Sequence, residues 1–304
     1  MKKPTIFISA GDPCGIGPQV TVKALRDPRV QRACTAILIG EPDSLRAAGW
    51  SEKLAALIPI QSLCKKPMHR GPSAWGGEIS FKAVQLACKL AARQPAAAVV
   101  TAPISKQSWQ LAGVPFTGHT EFLRKYYGKD ALMMFVSGGL RCALVSEHFA
   151  IKDLPEILTR QRIIRAGKAF AAALKKSGLK NPRIGVSALN PHAGDNGKFG
   201  NEENKVIAPA VAALCAAGIW ADGPHPTDAL WLKHVRGQFD GILCMYHDQA
   251  LLGLKLAARE PIVHLTAGLD FLRTSPAHGT AFDIAGQHKA DARSMMAAVL
   301  FAAK

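Results

Sequence analysis

Long apolar runs are missing from this 304-residue chain. None approaches the roughly 20 residues that a membrane-spanning helix needs, which excludes a helical membrane protein. The opening MKKPTIFISAGDP has two lysines and a short apolar run, too little for a signal peptide with its longer core and cleavage site. It reads instead as a buried strand feeding a glycine-rich turn, so a cytoplasmic protein is expected. Paired cysteines are missing as well. Cys14, Cys34, Cys64, Cys88, Cys142, Cys215 and Cys244 are odd in number, with no CxxC. That argues against a full disulfide framework and for reduced thiols packed as small apolar groups. Aromatic residues make up only 7%, and the formal charge of +16 is carried by dispersed residues with no run of five lysines or arginines. A nucleic-acid partner would call for a clustered basic face or a stacking platform, so none is expected; attraction to an anionic metabolite suits the charge better. No GK[ST] follows the glycine-rich turn and no GxGxxG spacing occurs, so neither a P-loop nor a Rossmann fingerprint is present. Repeats, low-complexity segments and long linkers are lacking too.

What remains is an ordinary globular balance, 48% apolar and 20% charged, long enough for one large α/β domain or two smaller ones. Apolar runs that read as buried strands are TIFISA, AILIG, AAVVTAP, ALMMFVS, CALVSEH, RIGVSALN, FDGILCMY and PIVHLT. Helical stretches are expected at Gln19–Leu25, Ile79–Ala92, Ile157–Ser177 and Glu203–Ala217, with a closing helix in DARSMMAAVLFAAK. Strands alternating with helices predict α/β layers around a largely parallel sheet. Ligands in such folds bind at the carboxyl ends of strands, so the residues just beyond each strand are the first candidates for chemistry.

After the first strand comes GDPCGIGPQ, whose glycines permit tight turns and whose Pro18 can open a helix. After AAVVTAP comes Lys106, a possible anion contact or proton carrier. VPFTGHTEFL comes next, with His119 and Thr120 opening an apparent helix and Thr117 or Thr120 available as its cap. Exposed amides at such an end attract anions. His148, His192 and His247 each come after a separate apolar run and would project from one end of a parallel sheet. Neutral imidazoles suit zinc and related divalent ions, and three protein ligands leave a position for water or substrate. Asp195 and Asp248 are near enough in the chain to orient a ligand histidine. Arg273 offers a planar fork for a carboxylate or phosphate. HGTAFDIAG holds the pair His278 and Asp283 on a loop before the last helix.

GDPCGIGP, TAPISK, TGHTEFL, LNPHAGDNGKFGNEE, GPHPTD, MYHDQ and RTSPAHGTAFDIAG occur together, in one order, over nearly the whole chain. In that combination the chain resembles the 4-hydroxythreonine-4-phosphate dehydrogenase family of pyridoxal phosphate biosynthesis. The resemblance implies an isocitrate/isopropylmalate dehydrogenase-like fold: two α/β/α subdomains with a cleft between them. The first subdomain would take residues 1–125 with 255–304, the second residues 126–254. It also implies a homodimer with active sites shared between subunits. His148, His192 and His247 resemble the family's metal ligands, with zinc first and cobalt or magnesium as alternatives. His119, Thr120, Lys255 and Arg273 resemble its substrate contacts. His278, Gly279, Thr280, Ala281 and Asp283 look like the segment near the adenosine of NAD or NADP.

The implied reaction oxidises 4-phosphohydroxy-L-threonine with decarboxylation to 3-amino-2-oxopropyl phosphate. Lys106, Asp248 and a metal-bound water are the candidate proton acceptors. The chain departs from the family pattern in VHLTAGLDFLRTS, where His264 stands in place of an asparagine that contacts substrate and Asp270 in place of a proline. That change opens the alternative of a related phosphorylated acid, such as 4-phospho-D-erythronate or 4-phosphothreonate.

Overall fold

A computed structural model of the chain describes residues 3–304 apart from 69, 95, 96 and 129. Its strands, in chain order, are β1 (Thr5–Ser9), β2 (Thr35–Gly40), β3 (Ala56–Pro59), β4 (Ala98–Thr101), β5 (Leu132–Ser137), β6 (Leu140–Leu144), β7 (Ile184–Ser187), β8 (Ala221–His225), β9 (Gly241–Cys244), β10 (Val263–Ala267) and β11 (Leu272–Pro276). The chain divides into two compact units, one of residues 1–127, 263–265 and 269–304, the other of residues 128–262 and 266–268. Each is α/β, the class expected from the alternating apolar runs and helical stretches.

In the first unit the strand order is β3-β2-β1-β4-β11-β10, and the β3–β2, β2–β1, β1–β4 and β4–β11 ladders are parallel. Parallel strands covered on both faces need side chains that are apolar in both directions. Hence AVVT of β4 is buried throughout. The helix Ala74–Ala91 starts where the Ser73 hydroxyl accepts the Gly76 N–H at 3.0 Å, an N-cap that satisfies one orphan amide. It then buries Ile79, Ala83, Val84 and Ala87 at helical spacing. The closing helix, Arg293–Ala302, buries Met295, Ala298, Val299 and Ala302 in the same way.

In the second unit the order is β5-β6-β9-β7-β8. β5 and β6 form an antiparallel hairpin; β6–β9, β9–β7 and β7–β8 are parallel. Phe135, Cys142, Leu144, Leu230, Ile242, Cys244 and Leu254 share its core. Because β6, β9 and β7 are parallel neighbours, their carboxyl ends lie along one edge, where the sequence places the residues leading to His148, His247 and His192.

Two expected helices differ in detail. Ile157–Ser177 is a short turn at Leu154–Ile157 followed by a helix at Arg160–Lys176. The break falls at Thr159, whose hydroxyl caps the second helix by accepting the Arg162 N–H at 3.2 Å. Glu203–Ala217 opens with a wide π turn at Glu203–Ile207, and regular α-helix runs only over Ala208–Ala216. All seven cysteines are free thiols, and burial pushes Cys88 up to about 12. No helix among the described residues is long and apolar enough to cross a membrane.

His234 shows how a buried titratable group ties this fold to pH. Its Nε2 accepts the Arg141 backbone N–H and its Nδ1–H donates to the Phe239 carbonyl, both at 3.0 Å. Since a backbone N–H can only donate, the ring must be neutral to keep both bonds. Burial, reinforced by the Arg141 charge and opposed by the bond to Phe239, holds its pKa below the usual value. The unfolded chain therefore takes up a proton below pH ~6.5 that the folded chain refuses. The stability from this group is complete above that pH and is lost as pH falls below it, by at most about 1.4 kcal/mol per pH unit. Urea unfolding at pH 7.5 and 5.5 should show the loss, and His234→Gln should make the pH dependence shallower.

Candidate functional site

The first unit buries a cation. Arg273, on β11, is only 1% exposed. Its Nη2 donates to the Thr101 hydroxyl at the end of β4 at 2.6 Å, and its Nη1 to His264 Nδ1 at 3.4 Å. Parallel pairing of β4 with β11 aligns these elements. Burial lowers the Arg273 pKa to about 10, which leaves the guanidinium charged at neutral pH. Because an arginine can only donate, His264 Nδ1 is an acceptor there, and the neutral ring carries its proton on Nε2. The Ser275 hydroxyl lies 3.2 Å from the same Nδ1.

His119 opens the helix His119–Tyr127 and stacks edge-on against the buried Trp109, ring centroids 5.5 Å apart. Burial, then the charges of Arg273 and His264, hold its pKa well below the ordinary value. Its Nε2 is buried without a hydrogen bond among the described residues, a lack that a bound polar group would relieve. Thr120 is half-buried beside it. Thr117 does not cap this helix; its N–H and hydroxyl both donate to Glu121, at 2.7 and 2.8 Å. Lys106 is exposed at the start of the helix Lys106–Leu111, with its Cε beside Gly118.

The two glycine-rich motifs of this unit meet. The Ile16 N–H donates to the Thr280 carbonyl at 2.9 Å, and a Cβ on Gly15 would fall 2.8 Å from that same oxygen. Ala281 adopts a left-handed φ of 41° before the 3-10 turn Phe282–Ile284 that contains Asp283. His278 Nδ1 lies 3.1 Å from the Gly279 carbonyl. Within the first motif Asp12 is fully buried. Its carboxylate accepts the Ser108 hydroxyl at 2.7 Å and the Cys14 N–H at 3.0 Å. Burial raises its pKa despite those bonds.

The second unit holds the histidines. The rings of His148 and His247 are 5.4 Å apart, tilted by 37°. His247 Nδ1 lies 2.7 Å from Asp248 Oδ1, so its proton is directed at the carboxylate and Nε2 is left with a lone pair. That is how a ligand histidine is oriented. Gln249 fixes the segment: its Oε1 accepts the Met245 N–H at 2.9 Å and its Nε2 donates to the Ala188 carbonyl at 2.7 Å. One amide thus joins the ends of β9 and β7. Lys255 is exposed in the last turn of the helix His247–Ala257, about 12 Å along the axis from His247 at 1.5 Å per residue.

His192 is displayed differently. Residues 192–196 are consecutive left-handed residues, with φ of 53°, 54°, 80°, 44° and 55°. Four of them carry a Cβ, a strain of roughly 1–2 kcal/mol for each non-glycine residue. Such strain persists only where the surroundings impose it. Among the described residues no three His, Cys, Asp or Glu side chains of one chain converge as a metal set. His148 and His247 are brought together, and the donor chemistry of that pair fits a divalent metal; His192 does not complete it within the chain.

The sequence matches the model of the family described as pyridoxal phosphate biosynthetic protein PdxA over residues 30–302. The chain belongs to the PdxA family. It is 39% identical to the 4-hydroxythreonine-4-phosphate dehydrogenase of Geobacter metallireducens, covering 99% of this chain and 95% of that protein. It is 35% identical to the D-threonate 4-phosphate dehydrogenase of Salmonella typhimurium, covering 99% of each. The crystal structure of 4-hydroxythreonine-4-phosphate dehydrogenase from Klebsiella pneumoniae superposes with a TM-score of 0.87 at 32% identity, covering 99% of this chain and 98% of that one. This PdxA-family chain is accordingly an enzyme, an oxidoreductase of the 4-hydroxythreonine-4-phosphate dehydrogenase type.

Thr101, Ser275, Asp12 and Gln249 lie within the motifs TAPISK, RTSPAHGTAFDIAG, GDPCGIGP and MYHDQ, but no role was assigned to them from the sequence, where the histidines, lysines and arginine stood out. Arg273, buried and charged at neutral pH, is the candidate contact for an anion in this unit. Inorganic phosphate should raise the thermal midpoint of the natural chain, by about 2.7 kcal/mol of stabilisation at a hundredfold excess over Kd. Arg273→Met should lose that response, as differential scanning fluorimetry would show; an undiminished response would place the anion elsewhere.

Proposed function

We propose that this PdxA-family enzyme oxidises 4-phosphohydroxy-L-threonine with NAD or NADP and a divalent metal, with decarboxylation to 3-amino-2-oxopropyl phosphate. The observation that carries the reading is Arg273, buried beside His264 and electrostatically coupled to His119. Basic and polar side chains around an enclosed cation suit a small phosphorylated acid. Arg273 binds the phosphate, and His119 and Thr120 orient the rest of the substrate; the family resemblance gives Lys255 a phosphate contact as well. Remote phosphate binding then positions the reacting carbon. The loop from His278 through Gly279, Thr280 and Ala281 to Asp283 holds the nicotinamide cofactor, steadied by Ile16 against Thr280.

His148 and His247 hold the metal, zinc first among the fitting ions, and His192 completes the set in a homodimer whose active sites are shared between subunits. When bound, the metal supplies a Lewis acid for the alcohol and for the carbanion left by carbon dioxide, and the cofactor supplies the hydride acceptor. Asp248 keeps the proton of His247 on Nδ1, and Lys106 or Asp248 accepts the alcohol proton. The protein acts in the cytoplasm, with no nucleic-acid or membrane partner.

A second reading, oxidation of 4-phosphothreonate, is favoured by His264. Its Nδ1 already accepts from Arg273, so the other ring nitrogen of the neutral imidazole can only donate. A donor suits a hydroxyl or carboxylate oxygen better than the ammonium of an amino acid. NAD(P)H formation with each substrate and each cofactor separates the readings, a higher kcat/KM for the phosphothreonate deciding for the second. Asp248→Asn should weaken metal binding about 10–100-fold, and His247→Ala should abolish turnover with an unchanged circular dichroism spectrum. Full turnover by His247→Ala after chelation would defeat the metal assignment.

A further inference from the structure

The left-handed turn around His192 raises the question of what holds it. The deeply buried acidic residue of the surrounding motif is Glu203, 2% exposed at the start of the π turn. Glu203 Oε1 accepts two backbone N–H groups, from Leu189 at 2.8 Å and Asn190 at 2.7 Å. Oε2 accepts the Asn190 side-chain amide at 3.0 Å. The same oxygen lies against Gly194, in the middle of the turn, where an added Cβ would come within 2.7 Å of it. One carboxylate therefore grips the segment just before the turn and packs on the residue at its centre. The turn closes on itself by Phe199 N–H to the Gly194 carbonyl at 3.1 Å. Burial would push the Glu203 carboxyl up, but the bonds from Asn190 and Leu189 hold it below the usual range. Both oxygens are acceptors at neutral pH.

We infer that Glu203 is a positioning residue: its buried carboxylate imposes the left-handed turn at residues 192–196 and so sets the place of the His192 imidazole. The consequence for metal binding rests on the proposed role of His192 as a ligand; the hold on the turn does not. Glutamine at 203 would keep one acceptor but set an NH2 group against the Asn190 amide, and a buried donor facing a donor opens the grip.

The test uses the full chain as natural protein, Glu203→Gln, Asn190→Ala and His192→Ala. Amide hydrogen exchange is followed by mass spectrometry over residues 189–200, Co2+ binding by its visible absorption, and global stability by urea midpoint. Glu203→Gln is expected to exchange at least about tenfold faster in that segment, with the helix Arg160–Lys176 unchanged. It should also bind Co2+ about tenfold or more weakly, as expected for loss of an outer support. Asn190→Ala should move both readouts in the same direction by less, and it carries the test if Glu203→Gln does not fold. Natural exchange in both variants overturns the proposal. So does fast exchange with Co2+ affinity intact, when His192→Ala weakens it. If His192→Ala leaves Co2+ binding unchanged, it is the ligand reading of His192 that fails, and the exchange rates alone decide the role of Glu203.

Discussion

Parallel pairing of β6, β9 and β7 is the constraint on which the second unit depends. Side chains leaving those strands must emerge along one edge, because parallel neighbours share their carboxyl ends. The Gln249 side chain then joins two of those ends through Met245 and Ala188. With that edge fixed, His148 and His247 come within stacking distance, and Asp248 sets the tautomer of His247. The same logic explains why so many polar residues gather where the core strands stop. Within the sheet they would lose water without gaining partners.

The first unit solves a different problem, the burial of a positive charge. Arg273 sits on a strand paired in parallel with β4, where an unsatisfied guanidinium would be destabilising. Bonds to Thr101 and His264 answer part of its geometry, and burial, then the cation, depress the pKa of His119 nearby. A buried guanidinium offers an anionic ligand its planar fork. The surplus of basic residues over the whole chain gives such a ligand a favourable field on approach. The glycine-rich motifs act beside it through close backbone approach: Gly15 leaves room for the Thr280 carbonyl.

Much of the fold was legible because parallel, doubly covered strands are apolar without interruption. TIFIS, AILIG and AVVT announce themselves, as does the alanine-rich closing helix. β11 did not, since LRTSP buries an arginine, a threonine and a serine; polarity there marks a site and hides a strand. β8, ADGPH, carries glycine and proline, and β3 is short with a partly exposed pattern. The helix expected from Glu203 looked regular because its apolar spacing continues into Ala208–Ala216. The π turn at Glu203–Ile207 leaves no periodic trace.

The candidate site divides along the same line. The order of its motifs, the absence of a P-loop or Rossmann spacing, and the types of its ligands are properties of the chain, and they determined family and reaction class. Which side chains meet was decided by tertiary structure alone. Thr101 and Arg273 are far apart in sequence, as are Ile16 and Thr280, and nothing local predicts that they touch. His192 is the clearest case. Its residue type is plain in LNPHAGDNG, yet its left-handed backbone is locally unfavourable. Such a conformation exists only because distant groups impose it.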